Sequence, residues 1–148
     1  MKELKSLNKR TAPKSVMPEK IIQFGEGNFL RAFVDWIIWN MDQKTDFNGS
    51  VVVVQPIDRG MVDWLNGQDC LYHVNLQGRL NGEAVNSLER IDVISRALNP
   101  YTQNQAYMAL AEQPEIRFVI SNTTEAGIAF DDKCKFTDAP ASSYPGKL

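Results

Sequence analysis

An α/β fold built on a doubly wound, mostly parallel sheet is the architecture this sequence predicts, and three observations predict it. The apolar stretch Ile21-Ile22-Gln23-Phe24 runs into Gly25-Glu26-Gly27, after which apolar residues recur at helical spacing. The run Val51-Val52-Val53-Val54 is β-branched throughout and does not alternate, the mark of a parallel strand buried on both faces. A further apolar run, Arg117-Phe118-Val119-Ile120-Ser121, follows a second helical segment. Strands that alternate with helical patterns imply βαβ units and a parallel sheet. The 148 residues are the size of one ordinary domain and can bury a proper core.

Composition narrows the class. With 43% hydrophobic and 23% charged residues the chain reads as a soluble globular protein. Its net charge of −2, with no basic block, argues against a nucleic-acid or membrane surface. No apolar run approaches the roughly 18 residues a membrane span needs. The basic N-terminus lacks an apolar core, so it is not read as a secretion signal. Cys70 and Cys134 lack metal-type spacing, no metal site is expected, and two cysteines fit a reducing cytoplasm.

Residues 1–19 are polar and lysine-rich and read as a flexible N-terminal arm; the folded domain is expected over 20–148. At its start, the short strand ending at Phe24 gives way to a tight glycine turn and a helix. Gly25 and Gly27 fall where such a turn bends sharply and lets a ligand touch the backbone, and the free N–H groups and positive dipole end of the helix aim at the same spot. This is the phosphate-binding turn of a dinucleotide (Rossmann-like) fold, although Leu30 stands where the third glycine of G-x-G-x-x-G belongs. Phe24, Gly25, Glu26, Gly27, Asn28, Phe29 and Arg31 form the candidate cofactor-binding set, with an ordinary strand–turn–helix connection as the alternative.

Asn28 is a good N-cap, and the helix is expected to end near Lys44, before Asp46-Phe47-Asn48-Gly49-Ser50. Its wide apolar face, with Trp36 and Trp39, suggests burial. Arg31 opposes the helix dipole from the first turn, so it faces a phosphate or a carboxylate, or else is a solvated surface arginine. Beyond Val54, Asp58 is the candidate acid that hydrogen-bonds an adenosine ribose and repels a 2′-phosphate, favouring NAD over NADP. It lies further from the glycines than usual, Gln55 holds the more typical strand end, and Asp58 could instead cap a short helix over 59–66.

Residues 70–90 read as an inserted β-ribbon turning at Asn81-Gly82, with Ile91 to Ser95 as a further short strand. His73, the only histidine, lies in the ribbon with neither partner nor cleft in view and is read as structural. A helix starts at Thr102 or Asn104 and stops before Pro114. The loop Ser121-Asn122-Thr123-Thr124-Glu125-Ala126-Gly127 then sits at a strand C-terminus, where open α/β sheets bind ligands; Asn122, Thr123 and Thr124 are the candidates there, against a plain capping turn. After Phe130 the chain is expected to be loop-like.

Gly25-Glu26-Gly27-Asn28-Phe29-Leu30-Arg31-Ala32 resembles the G-x-G-x-F-x-R-A signature of the mannitol dehydrogenase family of long-chain polyol dehydrogenases. Asp58-Arg59, Gln68-Asp69-Cys70-Leu71-Tyr72 and Thr123-Thr124-Glu125-Ala126-Gly127 resemble further family segments in the same order, and the longer strings around the first and last resemble its sugar-acid branch. The resemblance covers about residues 20 to 148. It implies NAD-dependent, metal-independent hydride transfer between a secondary alcohol and a ketone. It also implies a catalytic lysine in a helical C-terminal domain with an L-N-G-x-H motif. Leu65-Asn66-Gly67 and Leu80-Asn81-Gly82 lack that histidine. The chain is therefore expected to be a truncated nucleotide-binding part without catalytic residues of its own, Glu125 being the weak candidate. A sugar-acid substrate, a missing C-terminal domain and self-association through exposed apolar surface are the partners this implies.

Overall fold

The structure, a computed structural model, describes residues 5–148. Strand β1 (Glu19–Phe24) leads through the glycine turn into a helix that begins at residue 28, passes through a π turn over Leu30–Val34 and continues as α1 (Asp35–Lys44). Then come β2 (Ser50–Val54), α2 (Val62–Gly67), the hairpin strands β3 (Tyr72–Leu80) and β4 (Glu83–Ile91), and β5 (Ile94–Leu98). Helix α3 (Asn104–Met108) tightens into a 3₁₀ turn over Ala109–Glu112, β6 (Phe118–Ser121) follows, and α4 (Tyr144–Lys147) closes the chain.

Four strands form one parallel sheet in the order β5-β2-β1-β6, and β3 and β4 form a separate antiparallel pair. The chain builds outward from β1 through β2 to β5, then returns to place β6 on the other side of β1. The order therefore reverses between β1 and β6, and the crevice beyond their C-terminal ends is the switch point at which doubly wound sheets bind ligands.

The sheet is covered on both faces, which explains the unalternated valine run: Val51 to Val54 are all 0% exposed. Val51 and Val53 pack with Ile21, Ile38 and Leu65 on one face, and Val52 and Val54 with Phe24, Tyr107 and Leu110 on the other. The hairpin turns at Asn81 and Gly82, both at positive φ, as a two-residue loop of this type requires. Both L-N-G strings are structural: one makes this turn, and in the other Asn66 pairs its side chain with the Ala97 backbone at 2.8 and 3.1 Å.

Residues 1–4 of the expected arm lie outside the described residues; within the rest of it, Lys9 N donates to Asp69 Oδ2, Lys14 Nζ to Asp69 O and Ser95 O, and Ser15 to Asp92. Other expectations are corrected. Helix α2 starts at Val62 with Met61 as its cap, so Asp58 does not cap it. Strand β5 lies at Ile94–Leu98 because Ile91 still belongs to the hairpin.

Strand β6 is not buried, Phe118 and Val119 being 51% and 55% exposed, because among the described residues it pairs with β1 alone and its outer edge has no strand beside it. The first helix is apolar on more than one side, so only part of that surface meets the sheet. Leu30 and Ile38 are buried, while Phe29, Phe33, Ile37 and Met41 form an exposed stripe at four-residue spacing. The C-terminal stretch is not all loop: Ser143 caps α4, accepting from Gly146 N at 3.1 Å. Tyr144 packs edge-on against Phe24, with 5.2 Å between centroids.

Candidate functional site

A cleft of about 640 Å³ lies at the switch point, within the range of small-molecule sites. One wall is the glycine turn, with Phe24, Gly25, Gly27 and Phe29; the opposite wall is the loop after β6, with Asn122, Thr123 and Thr124. Seven of the sequence-predicted residues thus face one space, because β1 and β6 are hydrogen-bonded neighbours that end together: Phe24 pairs with Ser121.

The two glycines do different work. Gly25 has φ +118°, and a Cβ there would lie 2.9 Å from Leu30 Cδ1, so the turn itself demands glycine. Its amide donates to Val54 O at 2.9 Å, tying the turn to β2. A Cβ on Gly27 would meet no protein atom within 4 Å, and Gly27 lines the cleft. Gly27, not Asn28, caps the helix: Arg31 N donates to Gly27 O at 3.1 Å. The amides of Asn28, Phe29 and Leu30 come before that first helical bond and are left for a ligand.

The other candidates do not line this cleft. Arg31 is buried and lines no part of the cleft. Its Nε donates to Glu26 O at 2.9 Å and its Nη2 to Asn28 Oδ1 at 2.6 Å, and its guanidinium stacks near the Trp64 and Tyr72 rings. It clamps the glycine turn from behind and engages the Asn28 side chain. The Glu26 side chain turns toward the loop after β2, accepting from Met61 N at 3.3 Å. That loop approaches so closely that a Cβ on Gly60 would lie 2.1 Å from Glu26 Oε1. Asp58 is exposed in a smaller depression beyond β2, shared with Gln55, Arg59 and Asn99. Gln55 is buried and pins this loop, donating to Ile57 O at 2.8 Å. Glu125 opens a 3₁₀ turn over Glu125–Ile128 and is exposed outside the cleft; His73 is exposed on the ribbon.

Sequence reasoning missed two parts of the site. Ser142, Ser143 and Tyr144 return to line the cleft, and the cap-plus-proline pattern Ser143-Tyr144-Pro145 was the signal for that turn of helix. The second is a buried polar cluster beneath the turn. Gln23 and Asp35 are 0% exposed; Gln23 Nε2 donates to Gly25 O at 3.1 Å and to Asp35 Oδ2 at 3.4 Å, and Tyr72 Oη donates toward Arg31 O and Asp35 Oδ2. Burial pushes the Asp35 carboxyl up to about 7, outweighing the Gln23 and Tyr72 hydrogen bonds and the Arg31 charge.

The family model of the mannitol dehydrogenase Rossmann domain matches residues 19–145. The chain belongs to the mannitol dehydrogenase family. Curated relatives include altronate oxidoreductases of Bacteroides thetaiotaomicron, 80% identical over 98% of this chain, and of Bacillus subtilis, 53% identical over 88%. The chain spans 30% and 27% of the length of these two relatives. Among solved structures, Pseudomonas fluorescens mannitol 2-dehydrogenase, in a ternary complex with NAD and D-mannitol, superposes with a TM-score of 0.67 at 27% identity. The match covers 82% of this chain and 27% of that one. A D-sorbitol dehydrogenase shares the fold, with a TM-score of 0.65 at 21% identity. This mannitol dehydrogenase family domain thus has the Rossmann-like parallel sheet and inserted ribbon its sequence predicts. Among its described residues, no helix is long and apolar enough to cross a membrane.

Proposed function

We propose that this chain is the NAD-binding part of a cytoplasmic sugar-acid oxidoreductase that interconverts D-altronate and D-tagaturonate. The observation that carries the reading is the glycine turn opening onto the switch-point cleft in a chain 80% identical to an altronate oxidoreductase. The residues fit a dinucleotide: a Cβ on Gly27 would meet no protein atom within 4 Å, and the first helical bond beside it is that of Arg31 N, so the amides before it have no helical acceptor. NAD, when bound, supplies the hydride acceptor.

The amides of Asn28 and Phe29 hold the pyrophosphate, with Gly25 and Gly27 leaving room for it. Asp58 accepts hydrogen bonds from the adenosine ribose, and its charge disfavours a 2′-phosphate. Phe24 and Asn122 to Thr124 line the nicotinamide side. Arg31 and the Glu26 side chain serve the site from behind, by fixing the turn. Proton transfer to or from the substrate oxygen needs a group within hydrogen-bond reach. The hydroxyls and amide of 122–124 are poor proton acceptors and Glu125 stands outside the cleft, in keeping with the family resemblance, which implies that this group lies in a helical domain beyond this chain. The same domain covers the free edge of β6 and the apolar stripe of the first helix; without it, those surfaces drive self-association.

A substrate panel on the full-length protein tests the reading. NAD-linked turnover of D-altronate in preference to D-mannitol and D-fructuronate supports it. Preference for either competitor overturns the substrate assignment, and failure to bind NADH overturns the cofactor assignment and leaves a structural or interaction domain.

A further inference from the structure

Beneath the glycine turn, the Gln23 amide is shared between Gly25 O and Asp35 Oδ2, so one side chain joins the turn to the helix that follows it. The other two polar atoms of this pair, Gln23 Oε1 and Asp35 Oδ1, are buried and have no hydrogen-bond partner among the described residues. Buried polar atoms are rarely left unpaired. Both can be satisfied by a single proton on Asp35: the acid then donates to Gln23 Oε1 while its other oxygen accepts from Gln23 Nε2, forming a face-to-face acid–amide pair.

The remaining neighbours do not supply that proton. Tyr72 has one hydroxyl hydrogen for two acceptors, Arg31 O at 2.9 Å and Asp35 Oδ2 at 3.2 Å. Burial and the adjacent Asp35 push the Tyr72 phenol far up, so it stays a donor. The one cation nearby, Arg31, directs its Nε and Nη2 at Glu26 O and Asn28 Oδ1.

We propose that Asp35 is a positioning residue for the nucleotide turn, acting as the protonated half of an acid–amide pair with Gln23, and that losing its proton releases Gly25 O and loosens the turn. The inference rests on reading that turn as the dinucleotide site. In the anionic form Asp35 has no proton to donate, Gln23 Oε1 and Asp35 Oδ1 stay buried and unpaired, and the amide is driven to turn away from Gly25 O. Burial already favours the neutral acid near neutrality.

The test is the affinity of the intact protein for NADH from pH 6 to 8.5, in the wild type and in Asp35→Asn. The carboxamide of that variant has the shape and a donor like those of the protonated acid but cannot titrate. Wild-type affinity is expected to fall about three- to tenfold across this range, the worth of one buried hydrogen bond. Asp35→Asn is expected to keep the low-pH affinity throughout. A flat wild-type profile, or the same fall in Asp35→Asn, overturns the proposal. If the wild type binds no NADH at any pH, the cofactor reading fails separately. The inference is then decided on ligand-free protein by hydrogen exchange of the amides of residues 25–28, corrected for intrinsic pH dependence. A loss of protection above neutrality in the wild type alone supports it, and identical profiles in both proteins overturn it.

Discussion

Gly27→Val separates binding from folding. A Cβ at Gly27 meets no protein atom within 4 Å, so the added side chain creates no clash. Its cost to stability is that of a poorer helix cap, on the order of 1 kcal/mol. Its cost to binding is larger, because the isopropyl group stands where the pyrophosphate would approach the amides of Asn28 and Phe29. Hydrogen bonds to a charged group contribute about 1.5–3 kcal/mol each, so losing two weakens NADH by roughly 3–6 kcal/mol, or about a hundredfold to ten-thousandfold. NADH fluorescence titration beside a thermal unfolding curve reads both quantities on one preparation. The expected result is a melting temperature within a few degrees of wild type and affinity reduced at least a hundredfold. A folded Gly27→Val protein that binds NADH as before would refute the phosphate-turn reasoning.

The remaining predictions turn on single residues. Gly25→Val should act in the opposite way, lowering stability by a few kcal/mol in urea unfolding, since φ is +118° and Leu30 Cδ1 lies 2.9 Å from the new Cβ. Asp58→Ala should weaken NADH modestly and narrow its advantage over NADPH in parallel titrations; equal binding of both cofactors by the wild type would remove Asp58 from the ribose. Asp35, with its pKa raised to about 7, holds its proton in the folded state but not in the unfolded one between about pH 4 and 7. Its contribution to stability is therefore full below the unfolded pKa and is lost as pH rises to 7, by up to about 4 kcal/mol; the difference between wild-type and Asp35→Asn unfolding curves at pH 5 and 8 should show that slope. The purified 148-residue chain should not oxidise NADH with tagaturonate; turnover lost on Glu125→Gln would make Glu125 the base.

What the sequence made legible is what local chemistry decides. Four adjacent valines suit only a strand covered on both faces, Asn81-Gly82 suits a two-residue hairpin turn, and Gly25 suits a positive φ. The cleft followed from these, since ordering β1 beside β6 brings Gly27 and Asn122 to Thr124 onto one rim. The partners of the charged side chains were less accessible. Arg31 and Asp35 look like surface residues of an amphipathic helix, and their burial depends on Trp64, Tyr72 and Gln23, brought in by other elements. Phe118 and Val119 show the reverse. Their composition predicts burial, but whether a strand is buried depends on what lies beyond its edge, and among the described residues only β1 pairs with β6. The helix at Tyr144 is hard to see in the sequence because one turn carries no periodicity, although its cap and proline are visible there.

The central claim, that a dinucleotide lies across the switch point between β1 and β6, is tested most directly by amide hydrogen exchange with and without NADH. New protection is expected at residues 25–30 and 122–124 together, with residues 72–91 of the ribbon unchanged. Protection confined to the ribbon, or absent from the glycine turn under saturating NADH, would contradict it.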